Sequence, residues 1–241
     1  MDAIVNWISY QFHITFIEDS RYLLFLEGFK NTLIIAIGAL VLGFVLGTLI
    51  AIIKVSYAQM KGMNGVKKIL LRILNGVAST YLAVFRGTPI VVQLMIMYFI
   101  VLAKLNNGVL VATIAFGINS GAYVAEIVRA GILAVDIGQT EAGRSLGLPP
   151  IKTMRLIILP QAIKNILPAL GNECITLIKE TSVAGYITVM DLARAGAYVR
   201  SRTLEPYFSL LFIALVYFVW VYGLTVLLKH FERRLRKGDR S

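Results

Sequence analysis

The sequence LIIAIGALVLGFVLGTLIAII, residues 33–53, is a continuous apolar run that contains no charged side chain. A helix of about 20 such residues is long enough to cross the hydrocarbon core of a bilayer. Within the run, Gly43 and Gly47 lie one helical turn apart and form a face of small residues that another helix can approach closely. We therefore predict a membrane-crossing helix here, at about residues 22–54.

The composition of the whole chain agrees with a membrane environment. Of its 241 residues, 58% are hydrophobic and 15% are charged, whereas water-soluble domains have about half apolar and about a quarter charged residues. The 24 Lys and Arg cluster beside apolar segments and lack the interleaved aromatic residues of a nucleic-acid surface. Cys174 is the single cysteine, and His13 and His230 lack metal-site spacing. We expect a membrane protein without a disulfide, a metal site or a nucleic-acid partner.

The distribution of positive charge predicts how often the chain crosses the bilayer. Lys and Arg accumulate on the cytoplasmic side, which places the connection at 138–160 and the tail at 229–241 on that side. The basic residues between Lys54 and Arg72 belong on the cytoplasmic side for the same reason. If 64–85 and 91–103 then crossed the bilayer separately, three crossings would separate these residues from the connection at 138–160, and the connection would lie outside. We therefore interpret 64–85 as an interfacial helix that shares one traverse with 91–103. Its basic residues, Lys61 to Arg72, either contact anionic lipid headgroups or only fix the topology.

The predicted fold is all-α: a single transmembrane domain, residues 1–241, forming an integral membrane bundle of about five helices. The N-terminal segment, 1–21, is extracytoplasmic in this interpretation, and the C-terminus is cytoplasmic. After the first span and the shared traverse, the remaining predicted spans are 109–135, 166–190 and 207–228.

Four residues, Arg86, Gly87, Thr88 and Pro89, interrupt the second traverse. Thr88 is a suitable cap for the helix that follows, and Pro89 suits its first turn because that position needs no N–H donor. Broken helices in transporters often lie near gates or binding sites. We treat the four residues as gate candidates, with a helix simply kinked at the interface as the alternative.

The stretch EAGRSLGLPPIKTMRLIILP, residues 141–160, is polar at its start and lies between apolar segments. Glu141 complements a helix dipole in a first turn, with Thr140 as the cap. Gly147 suits the left-handed position that ends a helix, and two prolines prevent its continuation. Because a helix of about two turns is unstable alone, we predict a docking element for a soluble cytoplasmic partner.

This stretch resembles the EAA loop of the permease subunits of binding-protein-dependent ABC importers. Its match to the pattern E-A-A-x3-G-x9-I-x-L-P departs only at Gly143, where the family has Ala. The segments VFRGTPIVVQL (84–94), NSGAYVAEIVRAGI (119–132) and LIKETS (177–182) resemble the polar amino-acid branch, of histidine, glutamine and arginine type. The resemblance covers the chain from about residue 28 to its end. The matching positions are Glu141, Ala142, Gly147, Ile157, Leu159 and Pro160.

The resemblance implies a multi-pass subunit of an ATP-driven importer in the bacterial plasma (inner) membrane. Two such chains, identical or paralogous, would form the translocation pathway, and an extracytoplasmic binding protein would deliver the amino acid. The EAA loop would be the coupling helix, seated on one of two ATPase subunits. The implied contacts with that ATPase are Glu141, Ala142, Arg144, Gly147 and Leu148.

Two further expectations concern what the chain itself does not carry. ATP and Mg²⁺ would bind to the partner ATPase, because the sequence has no G-x-x-x-x-G-K-[ST] phosphate loop. We expect no cofactor in this chain and no enzymatic activity of its own.

Polar side chains within the predicted spans are candidates for the substrate pathway, because such groups usually face a cavity or a partner. They form two acidic stripes, each on one helix face, which suggests a basic amino acid such as arginine, lysine or histidine as cargo. Structural roles stay open, since Glu126 can pair with Arg129 and Glu180 belongs to a stretch general to the branch. The stripes are Asn119, Tyr123 and Glu126 in the third span, and Glu173, Thr176 and Glu180 in the fourth, with Asn172 adjacent.

Two other functional classes compete with the importer subunit. One is a stand-alone secondary transporter driven by an ion gradient, and the other is a channel or membrane scaffold. Five spans are few for a secondary transporter, no inverted repeat is visible, and neither class explains the coupling loop.

Overall fold

The computed structural model describes residues 1–60 and 65–237, with side chains as far as Arg234. All regular elements in these ranges are helical, which confirms the predicted all-α class. Lys61, Asn64 and the last four residues of the basic tail lie outside the described residues. In chain order the helices are α1 (Asp2–Phe12), α2 (Tyr22–Ala58), α3 (Val66–Gly87), α4 (Ile90–Ile96), α5 (Gly108–Leu133), α6 (Ile137–Ser145), α7 (Pro150–Thr153), α8 (Leu159–Glu180), α9 (Leu192–Thr203) and α10 (Pro206–Lys237).

The centre of the bundle is the contact between α2 and α5. A Cβ atom added to Gly47 would lie 2.6 Å from Val124 Cβ, and one added to Gly43 would lie 3.1 Å from the backbone nitrogen of Gly121. The two pairs advance together along both helices, so α2 and α5 are parallel. The predicted approach of a helix to the Gly43 and Gly47 face is confirmed.

The parallel arrangement of α2 and α5 requires the chain between them to return once. The C-terminal half of α3 contacts α5, where the Tyr81 hydroxyl donates to the Ile118 carbonyl. α4 continues into a π-helix, Met97–Val101, and the two run antiparallel to α5, with Gln93 opposite Asn119 and Tyr98 beside Gly108. This geometry agrees with one traverse shared by α3 and α4, although α3 alone is long and apolar enough to cross a membrane.

α8 and α10 complete an arrangement in which successive traverses run in opposite directions. Gly131 faces Ile166, and the Ser120 hydroxyl donates to Glu173, so α8 is antiparallel to α5. Phe25 and Phe212 of α2 and α10 have ring centroids 5.1 Å apart, and Phe29 and Trp220 follow further along both helices, so α10 is parallel to α2. α2, α5 and α10 therefore run one way and the α3–α4 pair and α8 run the other, as a bundle of five traverses requires.

The fourth traverse ends earlier than the sequence predicted. We expected a span to Met190, but α8 ends at Glu180 and a 3₁₀ helix, Thr181–Ile187, turns the chain aside. The Thr181 hydroxyl donates to the Ile178 carbonyl at 2.7 Å, and Thr188 adopts a left-handed conformation with φ of 65°. The 22 residues of α8 already cover about 33 Å at 1.5 Å per residue, so a longer helix is not needed.

Asp191 anchors the connection between α8 and α10. Its carboxylate accepts hydrogen bonds from the backbone N–H groups of Ala193 and Arg194, both at 3.1 Å, and so caps α9. The approach of α2 here is very close, since a Cβ atom on Gly28 would lie 2.7 Å from the Asp191 carbonyl oxygen. Burial raises the pKa of Asp191 from 3.8 to about 6, although the backbone hydrogen bonds oppose the shift.

This raised pKa predicts a pH-dependent stability. Between about pH 4 and about pH 6 the folded protein holds a proton on Asp191 that the unfolded chain releases, so the free energy of unfolding falls as the pH rises through this range. Asp191→Asn keeps a capping oxygen and cannot titrate. We expect the Tm of the purified complex to fall from about pH 4 to about pH 6 more steeply in the wild type than in the variant. Equal slopes would contradict the expectation.

Candidate functional site

The break between α3 and α4 is closed by side chains. The Gln93 amide nitrogen donates to the carbonyl oxygens of Phe85 and Thr88, both at 3.0 Å, and lies 2.7 Å from the Thr88 hydroxyl. The predicted role of Thr88 as the cap of α4 is wrong, because its hydroxyl donates back to Val84 in α3. Pro89 occupies the cap position of α4 rather than its first turn.

Asn119 completes the closure from α5. Its amide nitrogen donates to the Phe85 carbonyl at 3.0 Å and to the Gln93 side-chain oxygen at 2.9 Å. Asn119 and Gln93 are 3% and 7% exposed, so the Phe85 and Thr88 carbonyl groups at the break find partners in the interior, as an apolar environment demands. The predicted stripe therefore divides: Asn119 faces the interior, whereas Tyr123 and Glu126 face a cavity.

This cavity has a volume of about 440 Å³ and is lined by α5, α8 and the residue that follows Phe85. Arg86, in the last turn of α3, projects into this cavity, with its guanidinium carbon 5.7 Å from the centre of the Tyr123 ring. Apolar and small residues form the rest of the wall. The polar lining residues are Arg86, Tyr123, Glu126, Asn165 and Glu173.

The two acidic residues of the cavity have different electrostatic surroundings. Glu126 forms a hydrogen-bonded ion pair with Arg129, and Arg86 Nη1 lies 3.9 Å from its Oε2. The Glu173 carboxylate accepts a hydrogen bond from the Ser120 hydroxyl at 2.8 Å. Within residues 1–60 and 65–234, no Lys, Arg or His nitrogen comes within 4.0 Å of it. Glu173 is therefore the carboxylate of the cavity wall that has no cationic partner among these residues.

The other candidates of the fourth span lie elsewhere. The exposed Asn172 side chain donates to the Pro168 carbonyl at 3.1 Å, and Thr176 and Glu180 are half-buried without lining the cavity. The structure adds Asn165, which lies two helical turns before Glu173 on the same face of α8. The sequence interpretation missed Asn165 because it started this span at Ile166. The signal available in the sequence was the eight-residue spacing between the polar Asn165 and Glu173, which places both on one side of a helix.

The predicted coupling helix is α6, and it begins earlier than expected. Asp136 caps it by accepting from the Gly138 N–H at 2.6 Å, so the predicted cap at Thr140 and the first-turn position of Glu141 are wrong. The predicted end is confirmed, since Gly147 has a φ of 78°. The Leu148 N–H donates to the carbonyl oxygen of Gly143 at 3.0 Å and closes the turn.

The one departure from the EAA pattern has a structural consequence. Gly143 is buried, and a Cβ atom on it would lie 2.7 Å from Thr153 Cγ2 and 3.0 Å from Ile157 Cδ1. α6 therefore packs directly against α7 and the π-helical turn after it, Met154–Ile158. Glycine has a weak helix propensity. The absence of a side chain at position 143 allows the close contact with Thr153 and Ile157, which offsets that cost.

The outer surface of this loop combines polar residues with unpartnered apolar ones. Glu141, Ala142, Arg144 and Gly147 are exposed, and Leu148 is half-buried. The sequence interpretation did not single out the large apolar side chains near them in sequence, which are also exposed, as apolar residues at interaction sites are. Their exposed fractions are 75% for Ile137, 80% for Leu146 and 82% for Ile151.

In the part of the chain that the structure describes, no three His, Cys, Asp or Glu residues are grouped as a metal site requires.

Comparison with known proteins shows extended similarity. The family model described as "Binding-protein-dependent transport system inner membrane component" matches residues 69–237. The arginine transport system permease protein ArtQ of Bacillus subtilis is 39% identical, over 89% of this chain and 93% of that protein. The glutamine transport system permease protein GlnP of Escherichia coli is 37% identical, over 88% and 93%. A chain in the crystal structure of an amino acid ABC transporter with histidines is 41% identical with a TM-score of 0.78, over 91% and 98%.

Proposed function

Because this chain belongs to the family of inner-membrane components of binding-protein-dependent transport systems, we propose that it forms the translocation pathway for polar amino acids, including basic ones, in an ATP-driven importer. It is a multi-pass membrane protein, and similar permeases are named for arginine and for glutamine transport. The cavity beside the α3–α4 break is the substrate site in this proposal.

The observation that carries the proposal is the Glu173 carboxylate at the cavity wall, without a cationic partner among the described residues. An amino acid has an α-carboxylate that suits the planar guanidinium of Arg86. Its ammonium group, or the cationic side chain of arginine or lysine, suits Glu173. The Arg86 guanidinium lies over the Tyr123 ring, and this cation–π contact holds it in place. Asn165 supplies a further hydrogen-bonding group from α8.

Glu173→Gln tests which cationic group Glu173 binds. A hydrogen bond to a charged group contributes about 1.5–3 kcal/mol, which corresponds to about tenfold or more in affinity. If Glu173 binds a basic side chain, uptake of arginine by the reconstituted complex falls at least tenfold, while uptake of glutamine is little changed. If it binds the α-ammonium group, both fall. ATPase stimulation by each amino acid gives a second measurement.

Glu180→Gln is the matched control for this experiment. It removes a half-buried carboxylate from the same helix, two turns away and outside the cavity. We expect uptake by this variant to stay close to that of the wild type. Unchanged uptake and ATPase stimulation in Glu173→Gln would contradict a substrate role for the cavity.

The exposed surface of α6 and its neighbours is the proposed docking site for an ATPase subunit. The apolar side chains of Ile137, Leu146 and Ile151 support this role, because they lie beside the charged residues of the EAA pattern without intramolecular cover. In this proposal two ATPases bind ATP and Mg²⁺, this chain binds no cofactor, and a second permease chain completes the pathway.

The orientation follows from the same proposal. The α6 end faces the cytoplasm, so the N-terminus and the α9 connection lie on the extracytoplasmic side, where a binding protein delivers the amino acid. The basic residues at the end of α10 then lie on the cytoplasmic side, in agreement with the positive-inside rule. α3 and α4 share one traverse, with α3 entering from the cytoplasmic interface.

A further inference from the structure

Helix α1 projects from the bundle with its side chains uncovered. Among residues 2–12 only Gln11 is buried, and Ile4, Trp7, Ile8 and Phe12 are between 47% and 66% exposed. An isolated helix of 11 residues is only marginally stable in water, because helices shorter than about 12–15 residues lack enough backbone hydrogen bonds. Something apolar must surround this helix.

Most side chains of α1 are segregated by chemistry, and the exception is Gln11, which lies on the apolar side and is buried. Ile4, Ile8 and Phe12 follow one another at intervals of four residues and share a face, flanked by Val5 and Trp7. Asp2, Asn6 and Ser9 occupy the opposite face. The helix contains no Lys, Arg or His, so attraction to anionic lipid headgroups does not contribute to its placement.

The segment after α1 fixes the helix at one end of the bundle. Phe16 is buried, and its ring lies 5.5 Å from the ring of Phe25 near the start of α2 and 4.7 Å from that of Phe212 near the start of α10. The Arg21 guanidinium donates to the Ile14 carbonyl. α2 and α10 are both membrane-crossing by length and hydropathy. The level at which both begin is therefore the membrane boundary, and α1 is held there.

We infer that α1 is an interfacial helix that lies in the surface of the lipid bilayer at the end of the bundle where α2 and α10 begin. Its apolar face enters the acyl region by about 5–10 Å, the depth typical of such helices. Asp2, Asn6 and Ser9 face water. Trp7 lies at the edge of the apolar face, at the level where aromatic side chains concentrate in membranes.

Site-directed spin labelling of the reconstituted complex tests this inference. A nitroxide is attached to Ile8→Cys on the apolar face or to Asn6→Cys on the polar face, with Cys174→Ser in this chain and the partners' cysteines replaced. The vesicles are phosphatidylcholine alone or with phosphatidylglycerol. We expect the label at position 8 to be several-fold more accessible to oxygen, which concentrates in the bilayer, than to a water-soluble nickel chelate. The order should reverse at position 6, in both lipids.

A label at Val219→Cys, on the exposed face of α10, provides the bilayer reference. Access of the nickel chelate to both α1 labels would show a helix in water and overturn the inference. Shielding of both labels from oxygen and from the chelate would mean that protein covers the helix and would also overturn it. Bilayer insertion only in vesicles with phosphatidylglycerol would contradict the charge-independent placement.

Discussion

Leu146→Asp should release the ATPase from the permease. Leu146 is 80% exposed at the end of α6, so its replacement does not disturb the bundle. At the proposed interface the change removes an apolar contact and forces a carboxylate to lose its water, a combination that costs about 2 kcal/mol or more at a central contact. We expect ATPase affinity to fall about 30-fold, with loss of co-purification and of ATP-driven uptake.

Leu204→Asp is the matched control for this prediction. Leu204 is 87% exposed, and it lies at the opposite end of the bundle, between α9 and α10. Its replacement introduces the same charge at equal exposure, so the ATPase should still co-purify. Retention of the ATPase by Leu146→Asp would contradict the coupling role of α6. Amino acid uptake by the chain in ATP-free liposomes would instead support the secondary transporter.

Gly47→Leu should have the largest effect on the stability of the bundle. The first added carbon alone would lie 2.6 Å from Val124 Cβ and 2.7 Å from the backbone oxygen of Gly121, and neither atom can move without moving α5. Overpacked interiors lose about 1–3 kcal/mol or more, and a full Leu side chain belongs at the upper end of that range. We expect a lower Tm of the purified complex and a lower yield of assembled protein.

Gly223→Leu separates this clash from a general effect of replacing glycine in a membrane helix. Gly223 is exposed in α10, and no atom lies within 4 Å of a Cβ atom built on it. Leu also has a helix propensity about 0.8 kcal/mol better than Gly, so Tm should be equal or slightly higher. If both variants behave alike, the α2–α5 contact does not limit stability.

The long apolar helices and their order could be predicted from the sequence because apolar length and positive charge are local signals, whereas α1 and α9 lie in segments for which no helix was predicted. The break was visible for the same reason, although only Thr88 and Pro89 of the predicted four residues lie between the helices, because α3 continues to Gly87. Its internal closure was not, since the partners of the Phe85 carbonyl are Gln93 and Asn119, the latter 34 residues away. Helical spacing places Asn119 with Tyr123, but α4 covers Asn119 and leaves Tyr123 at the cavity.

The boundaries of α6 and α8 show a second reason why the structure differs from the prediction. At α6 the motif directed attention to Glu141, whereas Asp136 offered an equally good cap five residues earlier. At α8 the apolar run continues to Met190, but the Thr181 hydroxyl bond and the left-handed Thr188 turn the chain aside. Hydropathy measures solvent preference and contains no information about such turns.

The closure of the α3–α4 break by Gln93 and Asn119 bears on how the pathway opens. A discontinuity in a helix is usually a flexible joint, but here Asn119 of α5 donates to Phe85 on one side of the interruption and to Gln93 on the other. Gln93 also donates across the interruption to the Phe85 carbonyl. Bending at this point would leave buried amide and carbonyl groups without partners, each at a cost of about 1–3 kcal/mol. We therefore expect Arg86 to travel with α5 as one rigid unit, so that access to the cavity changes by displacement between subunits.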